Sequence, residues 1–267
     1  MDVYWLQQAE ADVPATDDWL SENETVRLSS FRFAKRRNDW RLGRWTAKCA
    51  IAASLKLPND PQSLRRIEII PASTGQPEVT LHDQTETVTI SISHRGGFAL
   101  CAVAPGDIKL GCDLETIEPR SDAFIADYFT AKEQKLIAQT SGADRSLLVS
   151  LLWSAKESAL KALHVGLRAD TRSVEIKELD LHGHGYGVTD APSTEGSLTS
   201  GLSNITAASW RALQVQCAGG TDLCGWWQHS NKIVRTIVAT LPPVLTRNSS
   251  YVNGIELVGL GVHSAGQ

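Results

Sequence analysis

An alternating stretch near the middle of the chain constrains the fold most. From Thr87 to Ser93 every second residue is aliphatic, as in a strand with one buried face. A turn at 95–97 follows, and Phe98 to Ala104 form a second apolar run. Two such runs joined by a glycine-containing turn predict a β-hairpin.

Segments with helical or strand patterns lie on both sides of this hairpin, which predicts an α+β fold. We expect helices over about residues 17–28, 35–55, 122–128, 131–139 and 145–164. We expect further strands over 3–6, 66–70, 108–115, 174–181 and 205–217, a turn at 74–77 and a loop at 192–203. The segment after Pro243 is too weakly patterned to place, and the chain shows no internal repeat at a fixed period. Pro105-Gly106 marks a boundary, so we divide the chain into 1–107, 108–242 and a tail at 243–267.

Composition and charge are typical of an ordinary globular chain. Of the 267 residues, 42% are apolar and 21% charged, and the net charge of −4 argues against a nucleic-acid partner. The five cysteines form no C-x-x-C pair, so we expect neither disulfides nor zinc, and a reducing, cytoplasmic setting. We also expect no secretory leader and no membrane span, because no apolar run approaches the necessary ~18 residues.

Two carboxylates lie two residues apart in the strand predicted at 108–115. Asp113 and Glu115 therefore point to one face, and Glu157 follows on a predicted helix. Three convergent carboxylates repel one another unless a cation lies between them, and oxygen ligands without nearby His or Cys favour Mg²⁺. The Asp-x-Glu pair alone also fits a strand end with no metal.

Trp153, Glu157 and Lys161 share one face of the helix predicted at 145–164. Glu157 could hold the metal, and Lys161, one turn further on, could reach a phosphate. The same spacing also fits a plain i,i+4 ion pair worth only about 0.2–0.5 kcal/mol. The apolar residues of this helix form a separate stripe, which leaves the charged face free.

The segment 24–48 has eight basic side chains against two acidic ones, although the whole chain carries a net charge of −4. The basic residues are Arg27, Arg32, Lys35, Arg36, Arg37, Arg41, Arg44 and Lys48. The four at Arg37, Arg41, Arg44 and Lys48 recur at helical spacing. A solvated face usually mixes its signs, so this stripe indicates an anionic partner, either phosphates or an acidic protein.

Ser93-His94 ends the first strand of the hairpin. A hydroxyl, an imidazole and free turn amides could bind a phosphate there, although an exposed turn histidine fits as well. The chain has no G-x-S-x-G elbow, no Walker A motif and no G-x-G-x-x-G motif. These absences argue against a serine hydrolase and against the common nucleotide-binding loops.

Taken together, these residues resemble the 4′-phosphopantetheinyl transferase superfamily. Its pattern is Gly-x-Asp and, some forty residues later, W-[ST]-x-K-E-[AS]-x-x-K; Gly111-Cys112-Asp113 and the segment 153–161 match it. Segments 31–48 and 128–133 and Ser93-His94 extend the resemblance to roughly residues 20–180. The Asp-x-Glu form, the length and the basic N-terminal helix resemble the surfactin-type, monomeric class.

The resemblance implies two similar α/β half-domains in a pseudo-twofold arrangement, with coenzyme A between them. It places Mg²⁺ on Asp113, Glu115 and Glu157, and the phosphates of coenzyme A on Lys161. The remaining residues implied for coenzyme A are Arg27, Arg44, Gln76, Ser93, His94 and Lys156. Gln76 departs from the family, which often has Gly-Lys-Pro where this chain has Gly75-Gln76-Pro77.

The family moves 4′-phosphopantetheine from coenzyme A to a serine of an apo acyl or peptidyl carrier protein and releases 3′,5′-ADP, as a holo-[acyl-carrier-protein] synthase does. The serine hydroxyl needs a base, for which Glu157 is the first candidate and Glu133 the second. Two alternatives remain open. One is a weak module that only binds coenzyme A or a carrier protein, and the other is a Mg²⁺-dependent phosphohydrolase that uses the same three carboxylates.

Overall fold

The computed structural model describes residues 3–73, 75–81, 87–181, 210–230, 232–240, 248–252 and 255–260, a mixture of helices and strands. In chain order these are β1 (Val3–Ala9), α1 (Glu22–Ser29), α2 (Ala34–Ser54), α3 (Pro61–Arg65), β2 (Ile67–Pro71), β3 (Pro77–Leu81), β4 (Val88–Arg95), β5 (Phe98–Pro105), β6 (Leu110–Thr116), α4 (Asp122–Tyr128), α5 (Ala131–Ala138), α6 (Gly142–Ala162), β7 (Val174–Leu179), β8 (Arg211–Cys217), β9 (Asp222–Ser230), β10 (Ile233–Ala239), β11 (Asn248–Val252) and β12 (Ile255–Leu260).

Two antiparallel five-stranded sheets form the body of the molecule. The first has the order β11-β12-β1-β5-β4, and the second has the order β6-β10-β9-β8-β7. The long helix α2 packs on β1, β4 and β5, while α6, equally long, packs on β6, β10 and β7. Each sheet is therefore covered by one 21-residue helix, and β2 and β3 form a separate small ribbon.

Several predicted elements are confirmed. The hairpin forms as β4 and β5, with Val88 opposite Pro105 and Arg95 opposite Phe98. Helices α2, α4, α5 and α6 and strands β1, β2, β6 and β7 lie close to their predicted bounds. No described helix is long and apolar enough to cross a membrane.

The predicted start of α1 was wrong. The helix begins after Ser21 rather than at Asp17, because Ser21 and Glu24 form a reciprocal capping box that satisfies the free amides of the first turn. Asp17 instead accepts a hydrogen bond from Arg41 Nε at 2.7 Å.

Strands β3, β9 and β10 were not predicted, although β9 and β10 form the middle of the second sheet. Strand β8 begins at Arg211, and the first part of its predicted range, 205–209, lies outside the described residues, as does the predicted loop at 192–203. The C-terminal segment, which the sequence pattern could not place, provides β12, which pairs with β1 in the first sheet.

The two sheets meet where β4 lies beside β6. The Ser91 Oγ accepts a hydrogen bond from the Cys112 amide at 2.9 Å, and the Ser93 Oγ accepts one from the Leu114 amide at 3.3 Å. Side-chain hydroxyls thus satisfy backbone amides of β6 that face the neighbouring sheet. The Gly-x-Asp-x-Glu segment lies on β6, at the junction of the two halves.

Gly111 allows β6 to lie directly against α6. A Cβ atom at this position would lie 1.8 Å from the Ser158 carbonyl oxygen, far inside van der Waals contact. The glycine of the Gly-x-Asp motif is therefore required by packing, because any side chain would push the helix away from the strand.

Each long helix carries a lysine that is wholly buried. Lys156 on α6 pairs with Glu133 on α5 at 2.8 Å and donates to the carbonyls of Thr171 and Val174. Glu133 also accepts hydrogen bonds from the Ile176 amide, at 3.0 Å, and from its own helix cap. The pair joins α5, α6 and β7 at one point.

The same arrangement occurs in the first half of the chain. Lys48 on α2 pairs with Glu24 on α1 and donates to the Trp19 and Leu64 carbonyls, and Glu24 accepts a hydrogen bond from the Ile69 amide. The surrounding sequences correspond as well, Trp45-Thr46-Ala47-Lys48 in α2 and Trp153-Ser154-Ala155-Lys156 in α6. A four-residue motif therefore occurs once in each long helix, which is a local recurrence and not a repeat at a fixed period.

Because the Lys156–Glu133 pair is buried, we expect Lys156→Met to lower the free energy of unfolding by about 3–5 kcal/mol, since it leaves an uncompensated buried carboxylate. The double variant Lys156→Met/Glu133→Gln should lose less than the sum of the two single variants. Urea denaturation followed by circular dichroism measures both effects.

The matched control is Lys132→Met, which removes an exposed ammonium from an ion pair with Glu175. It should cost at most about 1 kcal/mol. Equal losses for the Lys132 and Lys156 variants would contradict the structural role of the buried pair.

Candidate active site

Three predicted metal-binding carboxylates come together where β6 packs against α6. Asp113 and Glu115 are buried on one face of β6, and Glu157 is half-buried on α6. The side-chain alternation of the strand and the close approach at Gly111 bring these groups near one another.

Asp113 is held by a hydroxyl and an ammonium. Its Oδ1 atom accepts hydrogen bonds from Ser93 Oγ and from Lys161 Nζ, both at 2.8 Å. Lys161 also donates to the Cys112 carbonyl at 3.0 Å. Burial opposes the charge on Lys161, but Asp113 together with Cys112 and Glu157 outweighs the effect of burial and raises the pKa of the ammonium. The other oxygen of Asp113, Oδ2, is buried and has no hydrogen-bond partner within the described part of the chain.

Glu115 has one bonded and one open oxygen. Its Oε1 atom accepts a hydrogen bond from the Trp153 indole at 3.2 Å. Its Oε2 atom is buried without a hydrogen bond from any described residue, although Arg95 Nε lies at 3.5 Å and Arg120 Nη2 at 3.6 Å. Burial and the charge of Asp113 raise the pKa of Glu115 above its usual value.

Glu157 is the most strongly perturbed of the three. Burial, followed by the charge of Asp113, raises the pKa of Glu157 to about 7, and Lys161 only partly offsets this rise. A carboxyl in this range exchanges its proton near neutral pH, which general acid–base catalysis requires.

The three carboxylates suit a hard cation in chemistry but are not arranged around one. They offer only oxygen donors, two of their buried oxygens have no hydrogen-bond partner, and burial followed by mutual repulsion raises the pKa of Glu115 and Glu157. Among the described residues, however, no three His, Cys, Asp or Glu side chains are already spaced to hold a metal ion.

A basic, aromatic pocket of about 440 Å³ lies between α1, α2 and the end of β4. Its functional side chains are Arg27, Phe31, Arg36, Asp39, Trp40, Arg44 and His94. The only carboxylate among these, Asp39, is paired with Lys35 at 2.7 Å, so the pocket remains positively charged. Loss of solvation lowers the pKa of His94.

A second pocket of about 240 Å³ adjoins the first and shares Gly75, Pro77 and Ile92 with it. Gln76 and Lys161 line this smaller pocket. The smaller pocket thus leads from the basic pocket to Lys161, which also bonds Asp113, although none of the three carboxylates lines either pocket. An elongated anion could therefore lie along both pockets with one end at Lys161.

The pockets contain most of the residues predicted for coenzyme A: Arg27, Arg44, Gln76, His94 and Lys161. The sequence reasoning did not single out Arg36, Phe31 and Trp40 as site residues. The Phe31 ring lies 5.4 Å from both the Arg27 and Arg36 guanidinium carbons, and Arg44 lies 5.1 Å from the Trp40 ring. Arg36 belonged to the predicted basic segment, but no spacing signal distinguished it there.

Three predicted site residues have structural roles instead. Lys156 is fully buried on its own pair with Glu133 and cannot reach a phosphate. Glu133 is equally enclosed, and its two oxygens bond Thr130, Lys156 and Ile176, so it cannot serve as the base. Ser93 is buried with its hydroxyl between Asp113 and the Leu114 amide, so it orients Asp113.

The predicted basic stripe on α2 is also not a continuous binding surface. Lys48 is buried on Glu24, and Arg41 is bonded to Asp17 and to the Pro14 carbonyl. Helical spacing places these side chains on one stripe, but partners from other segments remove two of the four charges from solvent.

The raised pKa of Glu157 predicts a pH dependence of stability without metal. The folded state holds the proton more tightly, so the ionisation of Glu157 costs stability as the pH rises from about 4.5 towards about 7. In EDTA, Glu157→Gln should match the wild type near pH 4.5 and melt roughly 3 °C or more higher at pH 8.

Differential scanning calorimetry across this pH range tests the prediction. The exposed Glu22, varied to Gln, is the control and should show no such growing difference. A pH-independent gap between the wild type and Glu157→Gln would contradict the assignment.

Comparisons with known proteins match part of the chain to one family. Residues 109–203 match the family model described as the 4′-phosphopantetheinyl transferase superfamily. Two curated relatives are both called L-aminoadipate-semialdehyde dehydrogenase-phosphopantetheinyl transferase. The Xenopus laevis protein is 24% identical over 191 residues, which cover 66% of this chain and 61% of that protein. The Mus musculus protein is 24% identical over 190 residues, covering 65% and 60%. The match thus spans about three fifths of each relative.

Among solved structures, a holo-(acyl-carrier-protein) synthase from Bacillus anthracis in complex with CoA (3′,5′-ADP) is 21% identical, with a TM-score of 0.35 over 39% of this chain and 93% of that chain. The Helicobacter pylori holo-[acyl-carrier-protein] synthase in complex with coenzyme A is 19% identical, with a TM-score of 0.33 over 39% and 99%. The segment that carries Asp113, Glu115, Glu157 and Lys161 thus matches the 4′-phosphopantetheinyl transferase superfamily.

Proposed function

We propose that this protein is a 4′-phosphopantetheinyl transferase, which moves 4′-phosphopantetheine from coenzyme A to a serine of an apo acyl or peptidyl carrier protein. The observation that carries the proposal is the continuity of the site. A basic, aromatic pocket leads through a smaller one to Lys161, which bonds Asp113 in the carboxylate group.

Coenzyme A suits this arrangement in the order and charge of its parts. Its nucleotide part, with the 3′-phosphate, would occupy the larger pocket, where Arg27, Arg36, Arg44 and His94 offer donors. Its pyrophosphate would reach Lys161 through the smaller pocket. Gln76 there donates hydrogen bonds but adds no charge, so this part of the site depends more on Lys161.

Asp113, Glu115 and Glu157 would hold magnesium, since their open oxygens suit a hard cation. When bound, the ion would neutralise charge on the pyrophosphate oxygens. Lys161 would add positive charge at the same phosphates, and Ser93 would keep Asp113 in place by its hydrogen bond.

The reaction needs a nucleophile from the partner and a base from this chain. The carrier serine oxygen forms a bond to the β-phosphorus, and the bond from that phosphorus to the bridging pyrophosphate oxygen breaks. The leaving 3′,5′-ADP takes the electron pair. Glu157, which lies beside Asp113 and Lys161, would accept the serine proton.

We further propose the surfactin-type, monomeric class with pseudo-twofold halves. The support is the covering of each sheet by a long helix, together with the recurrence of the buried lysine–glutamate pair in both halves. The carrier would be an acyl or peptidyl carrier protein, and the names of the two relatives add an aminoadipate-semialdehyde dehydrogenase to the candidates.

Intact-mass spectrometry tests the transfer directly. We expect an apo carrier protein incubated with this protein, coenzyme A and Mg²⁺ to gain one phosphopantetheine, and EDTA to abolish the gain. Glu157→Gln should slow the transfer by about 100-fold or more, because the base is lost, whereas Glu22→Gln should leave it unchanged.

The alternatives give different products. Coenzyme A binding without a mass gain on several carriers would indicate a binding module. Consumption of coenzyme A without any carrier protein would indicate a phosphohydrolase. Normal transfer by Glu157→Gln at saturating Mg²⁺ would exclude Glu157 as the base.

The assignment of the nucleotide to the basic, aromatic pocket predicts a second result. Arg27→Ala and Arg36→Ala should each weaken the binding of 3′,5′-ADP by about tenfold, because each removes a charged donor to phosphate. Isothermal titration calorimetry measures the affinity, and Arg65→Ala, outside both pockets, is the control. Unchanged affinity in both pocket variants would place the nucleotide elsewhere.

A further inference from the structure

Two arginines and a glutamate surround the outer side of Glu115. Arg95 ends β4, and Glu118 and Arg120 follow β6. Glu118 Oε1 lies 3.1 Å from Arg95 Nη2 and 3.0 Å from Arg120 Nη2, so it bridges both guanidinium groups. We call these three residues the Glu118 bridge.

The same guanidinium groups lie farther from Glu115 than from Glu118. Arg95 Nε and Arg120 Nη2 are 3.5 and 3.6 Å from its Oε2 atom, beyond ordinary hydrogen-bond length, and neither bonds it. Two cations thus stand beside a buried carboxylate oxygen and leave it without a donor. Buried polar atoms are nearly always bonded, so this open oxygen needs an explanation.

Packing restrains the Arg120 side chain and the turn after Arg95, whereas the Arg95 side chain itself is 43% exposed. The turn after Arg95 lies against the end of β6, where the Cβ position of Gly96 is 3.6 Å from Thr116 Oγ1. The Arg120 guanidinium carbon lies 5.1 Å from the Phe124 ring, and its side chain is mostly covered. Small movements of either guanidinium group would nevertheless be enough to cap Glu115.

We infer that Glu118 is a positioning residue that holds Arg95 and Arg120 back from Glu115, so that the Oε2 atom stays open to a divalent cation. The inference rests on the magnesium site of the proposed function. Without Glu118, the nearest carboxylate to both guanidinium groups would be Glu115 itself. The cation would then have to displace them to bind.

The inference predicts that substituting Glu118 and substituting the arginines change cation affinity in opposite directions. Glu118→Gln should weaken cation binding, because the arginines can close on Glu115. Arg95→Gln/Arg120→Gln should strengthen binding, because two positive charges near the ion are removed. The key variant is the triple one, in which Glu118→Gln is added to the double arginine change. With no arginines left to restrain, Glu118→Gln should have almost no further effect.

Mn²⁺ binding followed by electron paramagnetic resonance provides a readout that is independent of activity. At low ionic strength we expect Glu118→Gln to raise the Kd by roughly three- to tenfold, and the double arginine variant to lower it by a similar factor. Glu22→Gln is the matched control, since Glu22 is an exposed glutamate paired with Arg65 at 3.4 Å, and it should not change the Kd.

The triple variant decides between mechanisms. If Glu118→Gln weakens binding equally with and without the arginines, Glu118 acts only through its own charge and the inference is overturned. Absence of Mn²⁺ binding in both the wild type and the double arginine variant would also overturn it. Failure of phosphopantetheine transfer, with the Mn²⁺ pattern as expected, would overturn the proposed function and leave this inference standing.

Discussion

The structure depends on two ammonium groups that have no contact with water. Lys48 and Lys156 can remain buried only because each is surrounded by a carboxylate and backbone carbonyls. Each carboxylate, Glu24 or Glu133, is in turn part of a helix cap and accepts a strand amide. In each half, the buried ion pair therefore joins a short helix, a long helix and a strand. The position of α6, and with it the position of Glu157, follows from this constraint.

The two halves share this anchor but differ directly after it. In α6 the lysine is followed by Glu157 and, one turn later, Lys161, whereas the corresponding positions in α2 are Cys49 and Ala53, both buried. The same helix geometry thus supports core packing in one half and a polar site in the other. The first half instead contributes the arginines of the basic, aromatic pocket and Ser93, so the candidate site has side chains from both halves.

Features of the structure could be predicted from the sequence where neighbouring residues alone determine them. The hairpin and the long helices have strong periods, and the spacing of Asp113, Glu115 and Glu157 follows from strand and helix geometry. Strand β9 was missed because it is buried through most of its length, including the polar Gln228 and His229, so its sequence shows no alternation. Lys156 was misassigned because a charged residue looks the same in sequence whether it meets solvent or a buried partner. Only the distant Glu133 distinguishes the two cases.

Gly111 has a consequence for how the site tolerates change. Backbone meets backbone where β6 touches α6, so the gap between the strand carboxylates and Glu157 is not set by the volume of any side chain. Substitutions that enlarge or shrink the cores on either side can alter stability, but they do not change this spacing directly. The distance on which chemistry would depend is thereby insulated from the drift of hydrophobic residues during evolution, at the cost of a position that accepts only glycine.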